Sequence, residues 1–282
     1  MFNNEIGKRI ALKRKENGYT QEQLSLLLNV TPQAVSKWEN GNSLPDTALL
    51  PLLGKLLGVS IDRLLTGNNL LAMEQVSPYD KEYEKEEYYW GLQHSVLAEQ
   101  VVRIMQGDSR LEKRILDIGS GEGRDAIFFA KGDYIVDALE LSKPGIEKIK
   151  HYSHLTGCNI NIIHANMIGY DIIEFYDVVY SMGSLQFLPP EQRRKHFDKY
   201  KQHTRTGGIN AHLVFVEKPF IEVAPDWQRN EYLYTSGDLA GYYHDWEIIQ
   251  CEEKIVDCNS ASIPHQHAVN YIIAKNHGGS FS

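Results

Sequence analysis

Residues 115–124 read Ile-Leu-Asp-Ile-Gly-Ser-Gly-Glu-Gly-Arg, an apolar run that stops at three glycines on alternate positions. A buried strand of this kind ends where glycine lets the backbone turn sharply, and with no Cβ in the way the backbone there can approach a ligand closely. Twenty-one residues after Gly119, Glu140 closes a second apolar run, Tyr-Ile-Val-Asp-Ala-Leu-Glu. A carboxylate at the end of the strand that follows a glycine turn is placed to accept hydrogen bonds from ribose hydroxyls. The pair points to a nucleotide-like cofactor.

The glycine spacing narrows that cofactor. A dinucleotide fingerprint is G-x-G-x-x-G, whereas Gly119, Gly121 and Gly123 give G-x-G-x-G. Asp117, just ahead of the loop, would repel a pyrophosphate and suits a cofactor with a cationic end. The segment resembles the first motif of class I S-adenosylmethionine (SAM) dependent methyltransferases, with Glu140 as the ribose-binding acid of the second. The resemblance covers roughly residues 88–275. It implies a cofactor site built from Asp117, Gly119, Ser120, Gly121, Gly123, Glu140, Leu141, Asn166, Met167 and Ser181, with the Asn166 side-chain carbonyl standing where the superfamily usually places Asp for the adenine amino group.

The rest of this region alternates strand-like and helical segments. Pro144 to His154 is helical, Ile160 to Asn166 strand-like, Phe175 to Ser181 resembles a fourth strand, and Ile209 to Val216 after Arg205-Thr-Gly-Gly resembles a fifth. The expectation is an α/β Rossmann-like domain with a mainly parallel seven-stranded sheet and its ligand at the strands' carboxyl ends.

A length of 282 residues suggests one or two domains, and no apolar stretch of membrane-spanning length occurs. The start, Met-Phe-Asn-Asn-Glu, lacks the basic and apolar regions of a secretion signal, so a cytoplasmic protein with no membrane partner is expected. Cys158, Cys251 and Cys258 make neither a disulfide framework nor a paired zinc spacing and read as free thiols, though Cys251 and Cys258 could meet in space. No metal set is expected from the spacing of His, Cys and carboxylates.

The net charge of −8 conceals an asymmetry: residues 1–68 hold eight Lys/Arg against six Asp/Glu, and the remainder 21 against 31. A mildly basic module on an acidic body suggests a nucleic-acid-binding end. Gln21 to Leu28, Asn29-Val30-Thr31 and Pro32 to Glu39 read as helix, turn and helix, with Leu24, Leu28, Val30, Val35 and Trp38 spaced to pack two crossed helices. Thr31 is a natural N-cap, Pro32 suits the first helical position, Asn29 tolerates a left-handed turn, and Ser25 is the small residue at the crossing.

This segment, about residues 4–68, resembles the Cro/C1-type (XRE-family) helix-turn-helix regulators, including Ser36-Lys37-Trp38-Glu39-Asn40-Gly41 and the run Leu57 to Leu65. The resemblance implies an all-α domain of five short helices that binds a double-stranded DNA operator. Gln21 would lie near the phosphate backbone, with Thr31, Gln33, Ala34, Ser36 and Lys37 on the groove-facing side and an internal Arg14–Glu39 ion pair positioning the helices. Gln33 could pair with an adenine edge, and Lys37 could reach a guanine or a phosphate. A homodimer would supply affinity that a +2 module lacks.

The domain division expected is therefore 1–68 helix-turn-helix, 69–87 linker and 88–282 methyltransferase, with the charge run Asp80 to Glu87 a solvated helix start. His94-Ser95 opens an amphipathic helix through Leu97, Val101 and Ile104. Tyr88 to Val101, Ser181 to Phe187 and Tyr234 to Glu247 look like the tellurite-resistance type of methyltransferase, which acts on small molecules. In that family the aromatic N-terminal segment helps cover the cofactor, which makes Tyr88, Tyr89, Trp90 and Gln186 candidate substrate or lid residues. One of the three rings could face the sulfonium, or all could be packing.

His265 and His267, in Pro264-His265-Gln266-His267 where family members carry basic residues, are the candidate catalytic pair. They could bind substrate, take a proton or cap the sheet edge. Methyl transfer from SAM requires alignment and exclusion of water more than a base, so the acceptor is not legible. Three functions stay open: a DNA-binding regulator fused to a small-molecule SAM-dependent methyltransferase, a transcription factor whose methyltransferase-like domain senses SAM or another ligand, and a nucleic-acid methyltransferase. The third is disfavoured because Ser181-Met-Gly-Ser-Leu-Gln186 is no Asn/Asp-Pro-Pro-aromatic segment.

Overall fold

Alternation of apolar strands with amphipathic helices places seven strands in one sheet of a computed structural model that describes residues 2–66, 77–107, 112–225, 231–259 and 263–278. The chain divides into two compact units, Met1–Gln75 with Gly169–Glu174, and Val76–Ile168 with Phe175–Ser282.

In the first unit, five helices are described: α1 (Phe2–Glu16), α2 (Gln21–Leu28), α3 (Pro32–Glu39), α4 (Leu50–Leu57) and α5 (Ile61–Thr66), with a 3-10 turn at Thr47–Leu49. Thr31 and Asn29 act as expected, and Thr20 adds a cap the sequence reading did not name. Thr20 and Thr31 each accept a backbone N–H at a helix start, and Asn29 ends α2 in the left-handed region at φ 53°. Burial of Ile6, Ile10, Leu24, Leu28, Val35, Trp38, Leu53, Leu57 and Leu64 makes one core from all five helices. Arg14 donates to both Glu39 oxygens, at 2.6 and 3.0 Å. Asp171 accepts two bonds from Arg63, at 2.8 and 2.6 Å, and lies 3.3 Å from Lys13.

In the second unit, α6 (Asp80–Tyr83) and α7 (Val96–Met105) precede β1 (Arg114–Ile118), α8 (Arg124–Lys131), β2 (Ile135–Glu140), α9 (Lys143–Thr156), β3 (Ile160–His164), β4 (Tyr176–Met182), α10 (Pro190–Gln202) and β5 (Thr204–Val216). A 3-10 turn, Leu185–Phe187, follows β4, and α11 (Asp238–Tyr242), β6 (Glu247–Cys258) and β7 (His265–Lys275) complete the unit. The strand order is β3-β2-β1-β4-β5-β7-β6. Ile115, Val136, Ala138, Val178, Tyr180, Ile209, Ala211 and Ile273 form the centre of the core with Val101, Phe129 and Ile149 from the covering helices.

The sheet is mixed, which corrects the expectation of a mainly parallel one. β3, β2, β1, β4 and β5 pair in parallel, but β7 runs antiparallel to both β5 and β6. The cause is the short β6–β7 connection, six residues from Cys258 to His265, because a parallel pair needs a crossover of a dozen or more. The same geometry separates Cys251 from Cys258. Both stand on β6 at an odd spacing, roughly 23 Å apart along the strand, so they face opposite sides and do not meet. All three cysteines are free thiols. Among the described residues, no helix is long and apolar enough to cross a membrane.

Candidate functional site

The turn after β1 is held from three sides. Gly119, Gly121 and Gly123 have φ of 70°, 58° and 88°, a region that L side chains rarely adopt. Packing forbids side chains there as well. A Cβ on Gly119 would lie 2.4 Å from Ser184 Cβ, and one on Gly123 would lie 2.8 Å from Ile149 Cγ1. Ser184 donates to Ile118 O at 2.6 Å and meets Ser181 Oγ at 2.8 Å, so Ser181 braces the loop through Ser184. Two of the glycines thus serve close packing of loop, helix and strand, while Gly121 faces the hydroxyl oxygen of Tyr83, 3.0 Å from where its Cβ would stand.

Glu140 ends β2 beside this turn. Its carboxylate accepts from Gly121 N and Ser142 N, both at 2.7 Å. Burial pushes its pKa up to about 7, with the backbone donors opposing the shift. Asp117 is buried at the end of β1, and burial, reinforced by Asp125 and Glu140, holds its carboxyl well above the usual carboxylate range. Among the described residues, Asp117 Oδ2, Ser120 Oγ and Gln186 Oε1 are buried without a hydrogen-bond partner. Orphaned polar atoms of this kind call for an explanation, because each costs about 1–3 kcal/mol when unsatisfied. Polar groups of a ligand, an ammonium against Asp117 above all, would answer them. The donor set therefore fits SAM.

The remaining candidates are placed as follows. Asn166 is buried, and its side-chain carbonyl accepts from Ile168 N at 2.9 Å, which closes the turn after β3. Leu141 accepts through its carbonyl from His164 Nε2 at 3.0 Å, and Met167 is half-buried. Gln186 donates to Gly183 O at 2.6 Å. Trp90 donates from Nε1 to Tyr83 OH at 3.0 Å and from its backbone to Glu122 at 3.2 Å, while Tyr89 packs edge-on against it. Tyr88 stands apart, its ring beside Lys148 and Tyr152.

Two residues that the sequence did not single out complete the aromatic cover: Tyr79 stacks on Tyr83 with centroids 5.6 Å apart, and Tyr83 itself is buried over the glycine turn. The charge run around them is exposed as expected at Lys81 and Glu84 to Glu87, and its acidic density hid the one buried ring. The pair of half-buried Lys148 and buried Glu122 at 2.7 Å anchors the segment, because Glu122 also accepts from Trp90.

His265 and His267 begin β7, with their Nε2 atoms 2.9 Å apart. His212 is buried against Tyr243 OH at 2.8 Å, and burial lowers its pKa to about 3, so it is neutral.

In the helical unit, α3 turns Val35 and Trp38 into the core and leaves Thr31, Gln33 and Lys37 exposed, with Ser36 half-buried. Ala34 packs partly against the core. Gln21 donates to Glu39 Oε2 at 2.8 Å, which ties the start of α2 to the end of α3.

A Rossmann-like sheet carrying a glycine turn and a ribose-type carboxylate, following a helix-turn-helix unit along the chain, defines a SAM-dependent methyltransferase domain joined to a DNA-binding domain. The family model for tellurite resistance protein TehB matches residues 77–263, and the helix-turn-helix model matches residues 10–64. The chain belongs to the TehB family. It is 24% identical over 142 residues to a probable S-adenosyl-L-methionine-dependent methyltransferase TehB of Haemophilus influenzae, an alignment covering 50% of this chain and 49% of that protein. It is 35% identical over 71 residues to the HTH-type transcriptional activator BcrR of Enterococcus faecalis, covering 25% of this chain and 35% of that one. The crystal structure of TehB from Haemophilus influenzae has the same fold, with a TM-score of 0.56 and 20% identity over 70% of this chain and 65% of that one. The chain thus spans about half or less of the length of these curated relatives.

Proposed function

We propose that the protein is a DNA-binding transcriptional regulator fused to a SAM-dependent methyltransferase that acts on a small molecule, with a cofactor site formed by Asp117, Gly119, Ser120, Gly121, Gly123, Glu140, Leu141, Asn166, Met167 and Ser181. The observation that carries this reading is the buried Asp117 carboxylate, with an unpartnered oxygen at the rim of the glycine turn. SAM supplies an electrophilic methyl group on a cationic sulfur. Asp117 would hold the cofactor's ammonium, Glu140 would accept from ribose hydroxyls, and the Tyr79–Tyr83–Trp90 cover would exclude water. Exclusion of water and alignment are the main contributions a protein makes to such a displacement.

The second unit's small aromatic cover favours a small acceptor over a nucleic acid base, which has to be turned out of its stack into the pocket. On the helical unit, exposed Gln33 and Lys37 support base and phosphate contacts. Two copies on a two-fold operator would raise affinity, as in related repressors. Incubation with methyl-labelled SAM and a panel of small thiols, amines and metalloid oxyanions tests the catalytic half, and selection of bound duplexes from a random pool tests the other. Transfer to a small acceptor with selection of one duplex sequence is expected. Tight SAM binding with no transfer to any acceptor would favour a sensor instead.

A further inference from the structure

The β6–β7 hairpin brings three metal-capable side chains together. Cys258 lies directly opposite His265 in the antiparallel ladder, and His267 shares that face because strand side chains repeat every two residues. One donor atom from each of Cys258, His265 and His267 lies within 4.8 Å of the other two. The imidazoles meet through Nε2 at 2.9 Å, and His265 Nδ1 stands 2.7 Å from the carbonyl oxygen of Ile263. A carbonyl only accepts, so His265 carries its proton on Nδ1 and turns the Nε2 lone pair toward His267. A backbone acceptor on the outer ring nitrogen is the arrangement that orients metal-binding histidines. His267 then donates Nε2–H to that lone pair, a proton that a metal ion would displace.

We propose that Cys258, His265 and His267 form a binding site for a divalent cation of the Zn(II) class, with three protein ligands and a fourth position open. A thiolate with two imidazoles selects such borderline-soft ions over Mg(II) or Ca(II), which take oxygen ligands. Tetrahedral coordination with bonds of roughly 2.0–2.3 Å puts neighbouring donors about 3.3–3.8 Å apart, inside the 4.8 Å limit that one donor atom of each residue already meets. Three protein ligands with an open position is the pattern of sites that bind water or substrate rather than purely structural ones.

The location fits that use. Ala268 pairs with Val216, so β7 begins at the carboxyl end of β5, the sheet edge that also carries the glycine turn. His267 packs on Phe215 with centroids 4.8 Å apart, and Phe215 adjoins Gly183 in the turn after β4.

The test is titration of the full-length, metal-stripped protein with Co(II), read by absorbance. One equivalent should give the visible bands of tetrahedral Co(II) together with the near-ultraviolet thiolate-to-cobalt charge-transfer band, and Zn(II) should abolish both. Cys258→Ser should lose the charge-transfer band. His265→Gln should weaken binding by more than the roughly 10–100-fold that loss of a ligand's hydrogen-bond partner costs. Cys258 and His265 are only half-buried, so neither variant threatens the core, and circular dichroism confirms the fold of each. Absence of tetrahedral Co(II) bands at stoichiometric metal, or the same bands in both variants, overturns the proposal. The titration contains no SAM and no acceptor, so it succeeds or fails independently of the methyltransferase reading.

Discussion

Glu140 combines burial, a pKa raised to about 7 and a predicted bond to ribose hydroxyls, which together make cofactor affinity depend on pH. Hydroxyls donate best to the ionised carboxylate. SAM affinity should therefore fall on acidification below about pH 7, by up to about tenfold for each further pH step of one, or about 1.4 kcal/mol. Calorimetry across about pH 6–8 should show this slope in the wild type and a weaker, flatter profile in Glu140→Gln; an equal slope in both would reassign the pH dependence. For stability the sign runs the other way. Between its ordinary value of 4.5 and about 7 the unfolded chain ionises Glu140 while the folded chain does not, so this group lowers stability as pH rises through that window and adds no change above it. At Gly119 the constraint is steric: Gly119→Ala should destabilise by about 1–3 kcal/mol through positive φ and the Ser184 clash. Adding Ser184→Gly should recover part of that loss in denaturant unfolding, whereas no recovery would leave backbone strain as the whole cause.

Among the elements, the helix-turn-helix was legible because its signals are local. The α2 and α3 bounds follow from Thr20, Asn29, Thr31 and Pro32, whose caps act within a few residues. β1, β2 and β4 were legible as apolar runs, since central parallel strands are buried on both faces. The edge strand β6 was not, because most of its residues are exposed and its apolar residues are interleaved with as many polar ones without a strict alternation. On the helical unit, the Arg14 and Glu39 side chains are only 10% and 6% exposed. Glu39→Ala should cost about 3–5 kcal/mol by leaving the guanidinium without its counter-charge, with only the Tyr19 carbonyl as acceptor, and Arg14→Met with Glu39→Leu should recover most of it. Equal losses in the two variants, measured by chemical unfolding, would mean that packing rather than charge positions α3. On the exposed face of α3, Gln33→Ala should relax operator choice at one base position. Lys37→Ala should weaken binding on all DNA and reduce the salt slope by about one, and competition binding at two salt concentrations separates these roles.

For the whole molecule, the glycine turn and Glu140 could be read in advance because strand, turn and carboxylate follow one another along the chain. Tyr79, Tyr83, Ser184 and the Cys258–His265–His267 cluster could not. Tyr83 reaches Gly121 from 38 residues upstream, and Cys258 meets the histidines only through the β6–β7 register, which no spacing rule for metal sites encodes. Asn166 shows the converse: the residue was legible, but its carbonyl also closes its own turn, a use visible only in the fold. The proposed activity rests on the cofactor assignment. The most direct measurement is calorimetric titration of the full-length protein and of Gly121→Val and Glu140→Ala with SAM and S-adenosylhomocysteine. Micromolar binding of both ligands to the wild type, weakened in each variant while the fold persists, is the expected result. Absence of binding to the wild type, or unchanged affinity in both variants, would contradict the cofactor assignment.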